Sequence, residues 1–239
     1  MENIVELKAV SKSFRTEEVE TSALDAIDLS IKKGEFTAIM GPSGCGKSTL
    51  LNIIGLLDSP DKGTYLLDGK DVSQLKEKQR TAMRKGKIGF VFQSFNLIDE
   101  LTVYENIEMP LKYLRIGASE RKAKIEAVLE RMKIGHRKKH FPQQLSGGQQ
   151  QRVALCRAIV AEPSLILADE PTGNLDSKHG QEVMKLLLEL NRGGTSILMV
   201  THAEYDASFA HRVVHLFDGK VITEAEKRKL ELQVEPTQL

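Results

Sequence analysis

The chain has 239 residues, 41% hydrophobic and 28% charged, enough for one large or two small domains with a full core. A formal net charge of +1 gives no electrostatic case for nucleic acid, and two cysteines without paired spacing offer neither a disulfide framework nor a zinc site. No apolar run approaches the roughly 20 residues of a membrane span, and Met1-Glu2-Asn3-Ile4 lacks a basic region followed by an apolar core, so the composition is that of a cytosolic protein.

Residues 4–10 and 24–31 alternate apolar and polar side chains, as half-buried strands do, with a polar, acidic loop between them that carries Phe14. That aromatic face either stacks on a purine base or packs in the core. Residues 35–40 form a short strand, followed by Gly41-Pro42-Ser43-Gly44-Cys45-Gly46-Lys47-Ser48-Thr49 and then by Leu50, Leu51, Ile53, Ile54 and Leu57 at helical spacing. Strand, glycine-rich turn and helix is the context in which a G-x-x-x-x-G-K-[ST] pattern holds phosphates. Its glycines let successive backbone N–H groups turn inward, and the helix start adds roughly +0.5 of a charge. In this reading Lys47 reaches the β- and γ-phosphates, Ser48 binds Mg²⁺, and Thr49 supports neighbouring phosphate oxygens. Cys45 and Cys156 read as small packing residues, with Cys45 open to alkylation if exposed.

Residues 65–72 predict a hairpin turning at Asp68-Gly69, which lays antiparallel strands beside the nucleotide core. A further strand over 87–92 ends at Gln93, at the kind of strand end where open α/β sheets bind ligands. From 101 to 133 the pattern is helical, and 112–139 holds ten Lys or Arg against three acids, which suits a partner patch or a solvated helical face. Leu145-Ser146-Gly147-Gly148-Gln149 opens a helix with Val153, Cys156, Ile159 and Val160 on one side, and serine plus two glycines at that start make a second anion site.

The apolar run over 164–168 ends in two carboxylates, as a strand buried on both faces would. Asp169 is placed to bind Mg²⁺ and Glu170 to accept a proton from attacking water. A helix around 183–190 leads through Gly193-Gly194 to a strand over 196–200 that ends at Thr201-His202. The other five histidines read as surface residues. A last hairpin turns at Asp218-Gly219, and 224–239 reads as a polar, loosely held tail.

Together these residues resemble the ATP-binding-cassette ATPases over roughly residues 4–222. The family's Walker A falls on 41–49, its Q-loop glutamine on Gln93, its signature on 145–149, its Walker B on 165–169 with catalytic Glu170, and its switch histidine on His202. The resemblance implies an α/β fold of the P-loop NTPase type: one cassette over 1–223 with an antiparallel β subdomain and an α-helical insert at about 94–163. It further implies ATP and Mg²⁺ as ligands, the metal at Ser48, Gln93 and Asp169, and the chemistry at Glu170, His202, Gln93 and Lys47. The nucleotide would contact Phe14, the whole of 41–49 and the partner's Ser146, Gly147, Gly148 and Gln149, because family members pack head to tail as two copies. Asn174-Leu175-Asp176 resembles the D-loop that crosses this interface, and Phe14 stands where the family often has Tyr.

Closer still, 55–58, 92–97 and 171–176 are similar to cassettes of the macrolide-exporter, lipoprotein-release and cell-division group. These are ATPase subunits that drive a separate membrane permease from the cytoplasmic face. The resemblance therefore implies export, lipoprotein release or peptide and macrolide efflux, or alternatively mechanotransmission or sensing without conventional transport. Repair and translation cassettes carry long coiled coils or two cassettes per chain, and this chain has neither. Phe95, Leu97, Tyr104 and Met109 fall where the family's permease docks a short helix.

Overall fold

Side-chain alternation within the strands decides the architecture. In the strand Leu165–Asp169, Leu165 and Leu167 join one buried cluster while Ile166 and Ala168 join another, and Ser196–Val200 divides in the same way, with Ile197 and Met199 opposite Leu198 and Val200. A sheet whose strands are apolar on both faces needs a layer on each side. The computed structural model describes residues 2–15, 20–223, 225–227 and 229.

In chain order the first elements are β1 (Asn3–Arg15), β2 (Glu20–Lys32), β3 (Phe36–Met40), α1 (Lys47–Ile54), β4 (Lys62–Leu67) and β5 (Lys70–Asp71). Then come α2 (Glu77–Arg84), β6 (Ile88–Phe92), α3 (Val103–Tyr113), α4 (Ala118–Arg131), α5 (Gly147–Ile159) and β7 (Leu165–Asp169). The last are α6 (Ser177–Arg192), β8 (Ser196–Val200), α7 (Glu204–Ala207), β9 (Arg212–Phe217) and β10 (Lys220–Ile222). A six-stranded sheet runs β10-β9-β3-β8-β7-β6, parallel except for the edge strand β10. An antiparallel sheet of four strands, β2-β1-β4-β5, lies beside it.

One face of the six-stranded sheet packs with Leu50, Leu51, Ile53 and Ile54 of α1 and with Val5, Leu7, Ile27 and Ile31 of the antiparallel sheet. The other face packs with Val103, Ile107 and Leu111 of α3, Ile125 and Leu129 of α4, Val153, Cys156 and Ile159 of α5, and Val183, Met184 and Leu187 of α6. Helix starts in this layer are set locally. Thr102 Oγ1 accepts from Glu105 N at 3.3 Å while Glu105 Oε2 accepts from Thr102 N at 2.8 Å, and Ser146 and Gln149 form the same reciprocal cap on α5.

Several features differ from the sequence reading. Phe14 does not sit in a loop; β1 runs to Arg15, and Phe14 pairs with Thr21 across the β1–β2 ladder. Residues 77–84, passed over above, form α2, which buries no residue and so has no apolar stripe to reveal it. Of the predicted tail, only 225–227 and 229 are described; 225–227 are helical behind a cap in which Thr223 and Glu226 bond reciprocally, and the rest lies outside the described residues.

Helix α5 approaches the sheet closely at Gly89, where an added Cβ would meet Ala158 O at 2.4 Å. Gly89→Ala must push the helix outward, and overpacking of this kind costs about 1–3 kcal/mol. Thermal unfolding should show a melting temperature lower by about 3–10 °C; an unchanged value would mean that the α5–β6 contact yields freely.

Candidate functional site

Four neighbouring strand ends carry the residues singled out above. Phe92 is in register with Asp169, Asp169 with Val200, and Ile39 with Val200, so Gln93, Asp169-Glu170, Thr201-His202 and Gly41 follow from adjacent parallel strands. Segments far apart in sequence thus meet along one edge, outside the carboxyl ends of the strands.

The loop after β3 is shaped by backbone approaches that only glycine permits. Gly46 has φ 102°, and a Cβ there would lie 2.3 Å from Ala23 O; one at Gly41 would lie 2.1 Å from Leu216 O. The loop is thereby wedged between β2 and the β9–β10 hairpin, with Gly219 N donating to Cys45 O at 3.1 Å. Lys47 is buried, and its Nζ donates to the carbonyls of Gly41 at 2.8 Å and Pro42 at 2.7 Å, which curls the cation under the loop. Cys45 turns inward, and burial raises its thiol pKa, so alkylation at this position is disfavoured. A cavity of about 700 Å³ opens on the loop, lined by Gly41, Pro42, Ser43, Gly44, Gly46, Lys47, Ser48 and Thr49 together with Phe14, Ala23, Glu170 and His202. Phe14 is 48% exposed there, so it is not a core residue.

Glu170 holds φ 43°, donates its N–H to Val200 O at 2.9 Å, and has Oε1 3.1 Å from His202 Nδ1. A non-glycine residue in this backbone region is uncommon and strained, and such strain gathers at working sites. Next to it, Asp169 has a raised carboxyl pKa, first from burial and then from the Glu170 charge, with Lys47 opposing. Gln93 and Asp169 do not line the cavity: Gln93 Nε2 lies 3.4 Å from Asn174 Oδ1, and its carbonyl accepts from Asn174 Nδ2 at 3.0 Å.

Ser146, Gly148 and Gln149 border a separate cavity of about 210 Å³, with Lys133, His136, Arg152, Lys178 and His179 around it. The Ser146 hydroxyl accepts from Gln149 N at 3.4 Å and keeps its own proton to donate. No residue lines both cavities, so within one chain the two expected anion sites do not meet. A larger groove, about 820 Å³, lies at the opposite strand ends around Ser164 and Ser196, away from these groups.

Two residues passed over in the sequence reading belong to this region. His179 was read as a surface histidine, yet its ring packs on Gly148, where an added Cβ would sit 2.5 Å from His179 Cδ2, and its Nδ1 lies 2.6 Å from Asp176 Oδ2. Asp176 also caps α6 through the N–H groups of Lys178 and His179. Arg157 of α5 donates to the carbonyls of Phe95, at 2.8 Å, and Asn96, fixing the segment after Gln93. An Asp-x-x-His pattern at a helix start was a visible signal for the first; nothing local pointed to the second.

The Asp169 carboxyl gives a stability test. Its pKa is raised on folding, so the ionised form costs stability at neutral pH, and that cost fades as pH falls toward about 4, where the unfolded group also binds its proton. Asp169→Asn should therefore melt higher than the parent at pH 7 without nucleotide, with the difference narrowing toward pH 4. A variant that melts lower at pH 7 would contradict the assigned cost.

Comparison with known proteins agrees with this fold. The family model described as ABC transporter matches residues 24–173. An uncharacterized ABC transporter ATP-binding protein, YknY of Bacillus subtilis, is 48% identical over 92% of this chain and 95% of its own length. A macrolide export ATP-binding/permease protein, MacB of Azoarcus sp., is 46% identical over 92% of this chain, which spans 34% of that relative. Among solved structures, the ATP-binding cassette MJ0796, a dimer in a post-hydrolysis state bound to ADP and Pi, superposes with a TM-score of 0.86 at 45% identity, covering 92% of this chain and 97% of that one. CbiO1 of Clostridium perfringens, part of the transporter complex CbiONQ, gives 0.83 at 30% identity, covering 98% and 96%. With this family model over more than half of its length, and relatives and solved cassettes at 45–48% identity over 92% of it, the chain belongs to the ABC transporter family as an ATP-binding cassette.

Proposed function

We propose that this cassette hydrolyses ATP between two copies of itself and drives a separate membrane permease from the inner face of the membrane. The separation of the two anion sites carries the reading. The phosphate cavity holds Lys47, Glu170 and His202 but lacks the Ser146–Gln149 helix start, and a second copy packed head to tail would bring that start over the nucleotide. MJ0796 is described as dimeric, which supports the arrangement.

In this reading the backbone N–H groups of 43–49 take the phosphates, Lys47 releases its carbonyl partners to reach the β- and γ-phosphates, and Phe14 stacks on adenine. A Mg²⁺ ion suits the oxygen donors of Ser48 and Asp169, and Asp169, burdened by burial and by Glu170, gains from a neighbouring cation. That ion supplies charge neutralisation at the phosphates. Gln93 is assigned to the same ion and to sensing it, with Asn174 holding the glutamine in place. Glu170 accepts the proton of the attacking water, and His202, 3.1 Å away, orients that carboxylate.

No helix among the described residues is long and apolar enough to cross a membrane, which suits attachment through a permease. MacB, named for macrolide export, supports an export system as the setting, and mechanotransmission or sensing would use the same cycle with a different permease. The docking groove is assigned to Phe95, Leu97, Tyr104 and Met109. Leu97 and Tyr104 pack against the core of the helical layer, so Phe95 and Met109 are the cleaner probes.

Glu170→Gln should slow hydrolysis by about 10² to 10⁴ while preserving ATP binding. Losing two like charges at the interface should leave an ATP-dependent dimer on gel filtration; a monomer at saturating Mg-ATP with native circular dichroism would defeat the two-copy reading. At the groove, Phe95→Ser with Met109→Ser should leave ATP binding intact and reduce co-purification with the permease at least several-fold. Wild-type recovery of the complex would place docking elsewhere.

A further inference from the structure

Lys12 on β1 is a buried cation outside the phosphate cavity. Only 9% of it is exposed, and its Nζ lies 3.1 Å from both carboxylate oxygens of Asp58, 3.0 Å from Ser59 O and 3.4 Å from Asp61 Oδ1. The same ammonium stands over the ring of Phe14, 5.6 Å from its centroid. Burying an ammonium is costly, and an apolar side chain of similar length would fill the space without that cost. What the charge adds is a polar tie between β1 and the segment after α1, beside the apolar cluster that the two already share. Asp58 hangs from the end of α1, its N–H donating to Asn52 O at 3.2 Å, and α1 begins in the phosphate loop. Asp61 grips β1 directly, accepting from Ser13 N at 2.7 Å and donating its own N–H to Ser11 O at 2.9 Å.

We propose that Lys12 is a positioning residue for the nucleotide's base, holding the Phe14 ring at a fixed place relative to the phosphate loop through Asp58 and Asp61. The inference rests on the reading that Phe14 stacks on adenine. Phe14 is 48% exposed near the end of β1, and the pinned ammonium on one face of its ring fixes it there, leaving the opposite face to the base. A base platform and a phosphate loop tied to one helix present the two halves of the nucleotide site at a set spacing, which reduces the ordering cost of binding.

Affinities for ATP and for tripolyphosphate, each with Mg²⁺, separate base from phosphate recognition. They are measured by titration calorimetry on the full chain for the parent, Lys12→Met, Phe14→Ala and the double variant. Lys12→Met should weaken ATP about five-fold and leave tripolyphosphate unchanged, with no further ATP loss when added to Phe14→Ala. A parallel loss for both ligands means general loosening and overturns the proposal, as do losses that add in the double variant. If Phe14→Ala weakens ATP while Lys12→Met does not, stacking stands and the positioning role fails. An unchanged ATP affinity in Phe14→Ala removes stacking itself, and the positioning role with it. Should Lys12→Met lose its native circular dichroism, Asp61→Asn removes a partner charge while its amide oxygen can still accept from Ser13; the same selective ATP loss is expected, and an unchanged ratio of the two affinities overturns the proposal.

Discussion

Burial of the central sheet on both faces is the constraint on which the site depends. Each strand must offer apolar side chains up and down at once, and slipping by one residue would exchange the two faces and shift every strand end. Register is thereby fixed at Phe92–Asp169 and Asp169–Val200, and the polar residues that follow the apolar runs emerge side by side. The hydrophobic core thus determines how far Glu170 lies from His202. The geometry proposed for catalysis is inherited from packing, and loops built on such rigid edges can carry strain such as the positive φ of Glu170.

The same logic explains what could be read from the chain alone. β3, β6, β7 and β8 are continuous or alternating apolar runs with a polar residue at the end, and the glycine-rich segment before α1 has its spacing written in the sequence. Their neighbours in space are not. Phe14 and Arg15, expected in an acidic loop, proved to be the end of a long strand, because the β1–β2 ladder continues past its apolar alternation to Arg15 and Glu20; residues 16–19 of that loop lie outside the described residues. The contact of His179 with Gly148 and the hydrogen bond of Arg157 to Phe95 join residues 31 and 62 positions apart through tertiary structure alone, and periodicity carries no trace of such pairs.

Charge is distributed in the site against the ordinary preference of each group. Asp169 is held where burial and Glu170 disfavour its ionised form, while the buried ammonium of Lys47 donates to the uncharged carbonyl oxygens of Gly41 and Pro42 and to the Cys45 sulfur. Each group is more costly alone than it would be beside the opposite charge of a nucleotide and its metal. Stability surrendered in this way can return as differential binding, which is how a site favours its loaded form.

Those local tensions matter because the loops around the two anion sites are mechanically joined. Asn174 holds Gln93 through two contacts, and two residues later Asp176 caps α6 and binds His179, which leans on Gly148 at the start of α5. Arg157, further along α5, returns to the carbonyls of Phe95 and Asn96 just beyond Gln93. The path is closed: Gln93 to Asn174, Asp176 to His179, Gly148 through α5 to Arg157, and back to the segment after Gln93. Chains of packed side chains and hydrogen bonds carry coupling between sites when they have two discrete arrangements, and this ring is the contact route available here. A nucleotide that displaces Gln93 would therefore shift the α5 start offered to the partner copy and the 95–97 segment assigned to the permease. One small movement at a strand end would reach both interfaces.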